Sequence, residues 1–293
     1  MTATIRIGVR IRAPRETVFP YLLTPHHLAR WFCNFAQVEP TVGGRFRFGG
    51  DYSIVAHPQE GGAWETTIRV GEVLHRFAFT WPFWDEPTEV EFAVEDREGG
   101  SLLRASHVGL PREGSTCGSF LDAWRLCLGN LKAIAEGRED SLRPDSYPVR
   151  DPEMRFDLLV NAPVARTFDA LTRPDELDRW AANGAMVEPT TGGRYSLGWD
   201  GEDGCLLRWD APRAFEIEWT VAGASIVAST WVEEKGPTRS SVHLRLREWP
   251  VTDDRFAKGQ RCLWSSRLVD LKNYLEAGET GFTEPRTAEL SLA

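Results

Sequence analysis

Two stretches of the chain decide its fold. Residues 11–50 read IRAPRETVFPYLLTPHHLARWFCNFAQVEPTVGGRFRFGG, and residues 160–199 read VNAPVARTFDALTRPDELDRWAANGAMVEPTTGGRYSLGW. They align without a gap at an offset of 149, with 18 identities in 40 positions. Ala13-Pro14 matches Ala162-Pro163, Arg30-Trp31 matches Arg179-Trp180, and Gly43-Gly44-Arg45 matches Gly192-Gly193-Arg194. Downstream the offset shrinks: Phe77 to Trp81 matches Phe215 to Trp219, and Trp124, Leu128, Leu131 and Lys132 match Trp264, Leu268, Leu271 and Lys272. So long a period is not that of a solenoid, whose repeats run to about 20–50 residues. It marks two copies of one domain.

Within one copy, residues 4–12 alternate Ile5, Ile7, Val9 and Ile11 with Arg6, Gly8, Arg10 and Arg12, the period of a half-buried strand. Ala13-Pro14 ends it, and Val18, Phe19, Leu22 and Leu23 recur at helical spacing. Pro25 opens a second short helix carrying Leu28, Trp31 and Phe32. Strands are expected at 45–49, 63–70, 75–81, 88–95 and 101–107, separated by Gly- and Pro-rich turns. Residues 116–136 place Phe120, Leu121, Trp124, Leu128, Leu131 and Ala135 on one helical stripe, and 256–277 repeat the pattern. The fold class is therefore α+β: two tandem helix-grip domains, each a curved antiparallel sheet of about seven strands wrapped on a long C-terminal helix. The expected boundaries are 1–139 for the first domain, 140–150 for an exposed linker, 151–279 for the second domain and 280–293 for a flexible tail. Trp124 and Trp264 are expected to be buried against their own sheets.

Each half resembles the SRPBCC (START-like) superfamily, and within it the branch named after the C-terminal domain of the activator of the heat-shock-protein-90 ATPase. The resemblance rests on A-P-x(4)-F, L-x-R-W, V-E-P-T-x-G-G-R-[FY], the Phe77–Trp81 strand and W-x(3)-L-x(2)-L, in this order, in both halves. It implies a cavity between helix and sheet. It does not imply one activity, since relatives bind lipids, act as polyketide cyclases or sequester toxic metabolites.

Composition narrows the classes. With 34 Lys+Arg against 43 Asp+Glu, the net charge of -9 argues against a nucleic-acid partner. No apolar run approaches the roughly 18 residues of a membrane span, and no signal-peptide core opens the chain, so a cytoplasmic location is expected. Five cysteines without a C-x-x-C pair read as reduced thiols. No motif for a cofactor, nucleotide or metal is present; adjacent His26-His27 read as a solvated face, and Asp200 to Gly204 as a turn. Twelve tryptophans suit cavities for apolar ligands. The cavity candidates are Trp81, Phe83, Trp84, His107, Phe120 and Trp124 in the first half and Trp219 and Trp264 in the second. His107, Asp51 and Glu65 are the candidate polar groups, with Arg247 or Glu248 in the place of His107 in the second half. Aromatic Trp81, Phe83 and Trp84 against the small residues 221–224 make the first cavity the expected tighter binder. The leading reading is a binding module for an apolar or aromatic small molecule. Alternatives are a polyketide cyclase or dehydratase-like enzyme and, with less support, a chaperone-associated protein.

Overall fold

The computed structural model describes residues 2–54, 57, 62–82, 87–111, 116–145, 147, 149, 151–198, 203–221, 224–248 and 254–284. Two compact units divide it: the described residues of Met1–Tyr147 with those of Gly281–Ala293, and those of Pro148–Thr280.

Unit 1 runs β1 (Thr2–Ile11), α1 (Arg15–Val18), α2 (Pro20–Leu23), α3 (Pro25–Trp31), β2 (Phe35–Val38), β3 (Arg45–Gly49), β4 (Ala63–Glu72), β5 (Arg76–Trp81), β6 (Thr88–Arg97), β7 (Gly100–Pro111) and α4 (Thr116–Ala135). Its seven antiparallel strands lie in the order β1-β7-β6-β5-β4-β3-β2. Unit 2 runs β8 (Met154–Val160), α5 (Val164–Thr172), α6 (Pro174–Leu177), β9 (Met186–Val187), β10 (Arg194–Ser196), β11 (Asp203–Asp210), β12 (Ala214–Val221), β13 (Ala224–Gly236), β14 (Arg239–Arg247) and α7 (Asp254–Ala277). Its order, β8-β14-β13-β12-β11-β10-β9, is the same. The tandem helix-grip architecture is thus present in both halves.

Local chemistry explains the differences in detail. Pro20 stands where unit 2 has Asp169. Proline has no N–H to give an interior helical turn, so the expected single helix is cut into α1 and α2, whereas α5 is continuous. The shared V-E-P-T-x-G-G motif builds a turn. Gly43 and Gly192 sit at φ 83° and 84°, a region that strains other residues. A Cβ on Gly44 or Gly193 would stand 2.2 Å from the carbonyl oxygen of Glu39 or Glu188. The carboxylates of Glu39 and Glu188 accept the backbone N–H of Arg45 and Arg194 at 3.1 and 2.9 Å.

Each long helix is clamped to the end of its first strand. Lys132 donates to the Arg10 carbonyl at 3.0 Å and pairs with Glu136, which accepts the Arg12 N–H at 2.9 Å. Lys272 donates to the Leu159 carbonyl at 2.9 Å and pairs with Glu276, which accepts the Asn161 N–H at 3.0 Å.

Two expected boundaries change. Residues 141–143 are not an exposed linker: Asn130 donates to the Leu142 carbonyl at 2.7 Å and accepts the Ser141 N–H at 3.1 Å, and Arg143 donates to the Cys33 carbonyl. Residues 281–284 are not a loose tail either. Arg10 N–H donates to Gly281 O at 2.8 Å, Thr283 N–H to Gly8 O at 2.9 Å, and Phe282 bridges Val9. Residues 285–293 lie outside the described residues.

Candidate functional site

In unit 1 the space between sheet and helix is filled by aromatic rings. Phe46, Phe48, Phe77, Phe79 and Trp81, from β3 and β5, are fully buried, as is Trp31, and Phe32 nearly so. Phe32 follows α3 and reaches into their midst, with ring centroids 5.0 Å from Phe48, 6.1 Å from Trp81 and 6.0 Å from Trp124. Trp124, on α4, also meets Phe92 edge-on at 5.6 Å. Trp81 is therefore core, not part of an opening. Phe83 and Trp84 lie outside the described residues.

His107 is at the inner end of this cluster, 1% exposed. Trp81 stacks on it at 5.6 Å with an interplanar angle of 2°, and Phe120, itself buried, meets it edge-on at 5.7 Å. Trp124 Nε1–H donates to His107 Nδ1 at 3.3 Å. An acceptor at Nδ1 places the neutral ring's proton on Nε2, which donates to Thr88 Oγ1 at 2.8 Å. Thr88 in turn donates to the Trp81 carbonyl at 3.2 Å. Burial drives the imidazole pKa down to about 3. His107 has no free nitrogen to offer a substrate and no proton to exchange near neutrality. It is a buried structural histidine.

The other nominated groups leave the site. Asp51 accepts from Tyr147 Oη at 2.7 Å in exposed surroundings. Glu65 pairs with Arg45 at 2.6 Å with both side chains about half exposed. The rings of His26 and His27 lie 4.0 Å apart, tilted by 45°, and among the described residues no group of three or more His, Cys, Asp or Glu is placed to hold a metal. Of residues 200–204, only Asp203 and Gly204 are described, and they open β11 rather than a turn.

Unit 2 differs at the same positions. Strand register pairs Ile5 with His107 and Met154 with Leu246, so Leu246, not Arg247 or Glu248, takes the place of His107. Thr88, opposite Trp81, becomes Ile226, opposite Trp219. Phe32 becomes Ala181, Phe48 becomes Leu197, Phe79 becomes Ile217, Phe92 becomes Thr230 and Cys127 becomes Arg267. Five aromatic or polar-aromatic fillers are thereby shortened or removed, and the space they fill in unit 1 is a cleft in unit 2.

The cleft is walled by Phe215, Ile217 and Trp219 of β12, Tyr195 and Leu197 of the β10 edge, Leu171, Leu177, Trp180 and Ala181 of the α5–α6 segment, and Trp264, Arg267 and Leu268 of α7. Its cavity volume is about 40 Å³, in a concavity that opens to solvent. Trp264 is half-buried rather than sealed like Trp124, because no ring stands where Phe32 does in unit 1. Trp180, also half-buried, keeps the bond Trp31 makes: each indole N–H donates at 2.9 Å to a helix carbonyl, of Ala170 or Tyr21. Tyr195 is sealed below, its hydroxyl donating to Leu171 O at 2.9 Å. Burial pushes its phenol pKa up against the opposing pull of Arg267.

Of the sequence candidates, the structure gathers Trp81, His107, Phe120 and Trp124 into the core of unit 1, and Trp219 and Trp264 into the cleft of unit 2. Sequence reading missed Trp180, Ala181, Thr230 and Arg267. The signal was present in the repeat itself, as Phe32 opposite Ala181 and Cys127 opposite Arg267.

A family model described as activator of Hsp90 ATPase homolog 1-like protein matches residues 12–136 and again 161–276. The chain belongs to that family, twice over. Among solved structures, DynU16, a putative protein in the dynemicin biosynthetic locus, is 16% identical over 94% of this chain and 99% of its own, with a TM-score of 0.41. The Aha1 dimer from Colwellia psychrerythraea is 20% identical over 46% of this chain and 96% of its own, TM-score 0.38. An HSP90 activator from Plasmodium falciparum is 16% identical over 42% and 92%, TM-score 0.37. None of the curated proteins matches the chain. No helix among the described residues is long and apolar enough to cross a membrane.

Proposed function

We propose that the protein binds an apolar, aromatic small molecule, and that the cleft of unit 2 is where it binds. The observation that carries this is the exchange of Phe32 for Ala181 within two sheets of the same strand order. It leaves a cleft walled by aromatic and aliphatic side chains where unit 1 has a packed core. Pockets for small molecules are concave, mostly apolar and supplied with few polar groups, and this cleft fits that description. A flat ligand would lie against Trp180 and Trp264, the two half-buried indoles, with its inner end toward Trp219. The preference moves away from unit 1, because its described candidates fill one another's space.

The reading favours binding over turnover. A cyclase-like reaction needs convergent acid and base groups, and among the described lining residues there is no carboxylate and no imidazole. The nominated His107, Asp51 and Glu65 are elsewhere.

The test is fluorescence titration of the full chain with N-phenyl-1-naphthylamine, a neutral aromatic probe. Ala181→Phe restores the ring of unit 1 and is expected to weaken binding at least tenfold without lowering the melting temperature. Ala181→Leu serves if the larger ring overpacks, with a smaller loss expected. Unchanged binding in folded variants would overturn the assignment.

A further inference from the structure

The exchange of Phe92 for Thr230 puts a hydroxyl where unit 1 has a ring. Phe77 and Phe92 face each other across β5 and β6, and Phe215 and Thr230 hold the same register across β12 and β13. In unit 1 the Phe92 ring meets Trp31 at 6.0 Å and Trp124 at 5.6 Å, edge-on to both. Trp180 and Trp264 are the counterparts of those two indoles, and Thr230 lines the cleft with them. Thr230 is 7% exposed, and its hydroxyl makes no hydrogen bond among the described residues. Other buried hydroxyls of unit 2 are paired within the fold. Thr167 donates to Ser240 at 2.9 Å, Ser240 to the Ala162 carbonyl at 2.9 Å, and Thr172 to the Phe168 carbonyl at 2.7 Å.

Packing alone does not ask for threonine here. Valine has the same branched shape and the same preference for strands, and it would line an apolar wall with no polar atom to satisfy. A hydroxyl taken out of water without a partner costs free energy. It has one proton to give and two lone pairs to accept with. A ligand that enters the cleft displaces water from Thr230. A purely apolar ligand strands the hydroxyl, whereas one that brings an oxygen replaces the bond to water with its own. Sites built to hydrogen-bond an oxygen reject analogues that lack it for this reason.

Resting on the binding function above, we infer that the ligand of unit 2 is an oxygenated aromatic, a ring system carrying a hydroxyl or carbonyl oxygen, and that Thr230 is the residue that selects it. The rings lie against Trp180 and Trp264, and the oxygen bonds to the Thr230 hydroxyl on the sheet side. Because that hydroxyl both donates and accepts, it takes either a phenolic O–H or a ketone. Unit 1 presents Phe92 at this position, a ring 2% exposed that can do neither.

Matched competitors separate this inference from the binding function itself. N-phenyl-1-naphthylamine is displaced from the full chain by 1- or 2-naphthol and, in parallel, by 1- or 2-methylnaphthalene. Each pair shares one ring system, is neutral at pH 7 and differs in the hydroxyl. Thr230→Val keeps the shape and removes the hydroxyl. In at least one pair it is expected to weaken the naphthol at least threefold, while the methylnaphthalene binds within twofold of its wild-type affinity or tighter. Thr230→Ser keeps the hydroxyl and is expected to hold the ratio of the two affinities within twofold of wild type. A structural role alone would move both members of a pair together. The same factor of change for both members of both pairs in Thr230→Val, or a ratio that Thr230→Ser lowers as far as Thr230→Val does, overturns the assignment and leaves the binding function standing. Should Thr230→Val fail to fold, Thr230→Ala makes the same comparison. Failure of Ala181→Phe to weaken N-phenyl-1-naphthylamine would mean that the probe binds elsewhere, which is failure of the binding function rather than of the ligand class.

Discussion

His107 shows how an environment decides what a titratable side chain does. Its pKa of about 3 lies below the ordinary value near 6.5 because the charged ring would be stranded among Trp81, Phe120 and Trp124. Between those two values the unfolded chain binds a proton that the native state refuses. The stability from this group is therefore complete above about pH 6.5 and is lost as pH falls toward 3. His107→Leu, which copies Leu246, removes this proton linkage, although it strips Trp124 of its acceptor. The expected outcome is a variant less stable than wild type at pH 7 and closer to it at pH 4.5, measured by urea unfolding at both. A gap that stays constant with pH would mean that His107 takes up its proton in the folded protein as readily as in the unfolded chain. The same residue marks a limit of sequence reading. Its strand and the face it shares with Leu103 and Ala105 were legible from alternation. Its partners were not, because Thr88 and Trp124 come from elements that only the register and the helix packing bring to it.

At the scale of elements, the clamp between each long helix and its first strand is the feature most open to test. Lys132 and Glu136 are nearly sealed from water. Burial would raise the carboxyl pKa of Glu136, but the Arg12 N–H, Lys132 and Arg138 outweigh it and hold the group below the usual carboxylate range. Removing one member of a buried pair leaves the other charge uncompensated, at about 3–5 kcal/mol. Lys132→Met should thus destabilise unit 1 by that order. Lys132→Met with Glu136→Gln should recover part of the loss, because the buried carboxylate that Lys132 compensates is gone as well, although Arg138 loses its ion pair. A double variant as unstable as the single one would show that the bonds to the Arg10 carbonyl and Arg12 N–H carry the effect instead. Because the folded pKa of Glu136 is depressed, the contribution of the carboxylate is present above the unfolded value near 4.5 and is lost as pH falls through the folded one. The elements themselves were largely written in the repeat: the alternation of Ile5 to Ile11, the apolar stripe through Trp124, the paired glycines at 43–44 and 192–193. What escaped was what single residues do inside them. Pro20 cuts a helix, and Ala181 opens a cleft by what it lacks. A missing side chain leaves no apolar pattern to see, only a mismatch between copies.

At the scale of the whole molecule, the two copies differ in how the space between sheet and helix is packed while keeping one topology. Filling the space with rings gives unit 1 many edge-to-face contacts, each of about 0.5–1.5 kcal/mol beyond area burial. Phe32→Ala, the reverse of Ala181→Phe, should cost unit 1 about 3–5 kcal/mol, as core aromatic truncations do. Unit 1 is completed by a second device, the segment 281–284. Its backbone pairs with β1, Glu284 accepts the Gly8 N–H at 2.6 Å, and the Arg125 guanidinium lies 4.1 Å above the Phe282 ring. Gly8 allows this approach, since a Cβ there would meet Thr283 Oγ1 at 2.4 Å. An uncovered sheet edge presents unpaired N–H and C=O groups to other chains, and this segment occupies those of Gly8 and Arg10. Removal of residues 281–293 is therefore expected to expose them. Amide hydrogen exchange should show Gly8 and Arg10 losing protection while the amides of β12 and β13 keep theirs, and the unfolding transition of unit 1 alone should shift down. Unchanged protection at Gly8 and Arg10 would mean that the segment does not hold the β1 edge in solution. Loss of protection throughout unit 2 as well would mean that the truncation unfolds the chain generally, rather than uncovering a single strand.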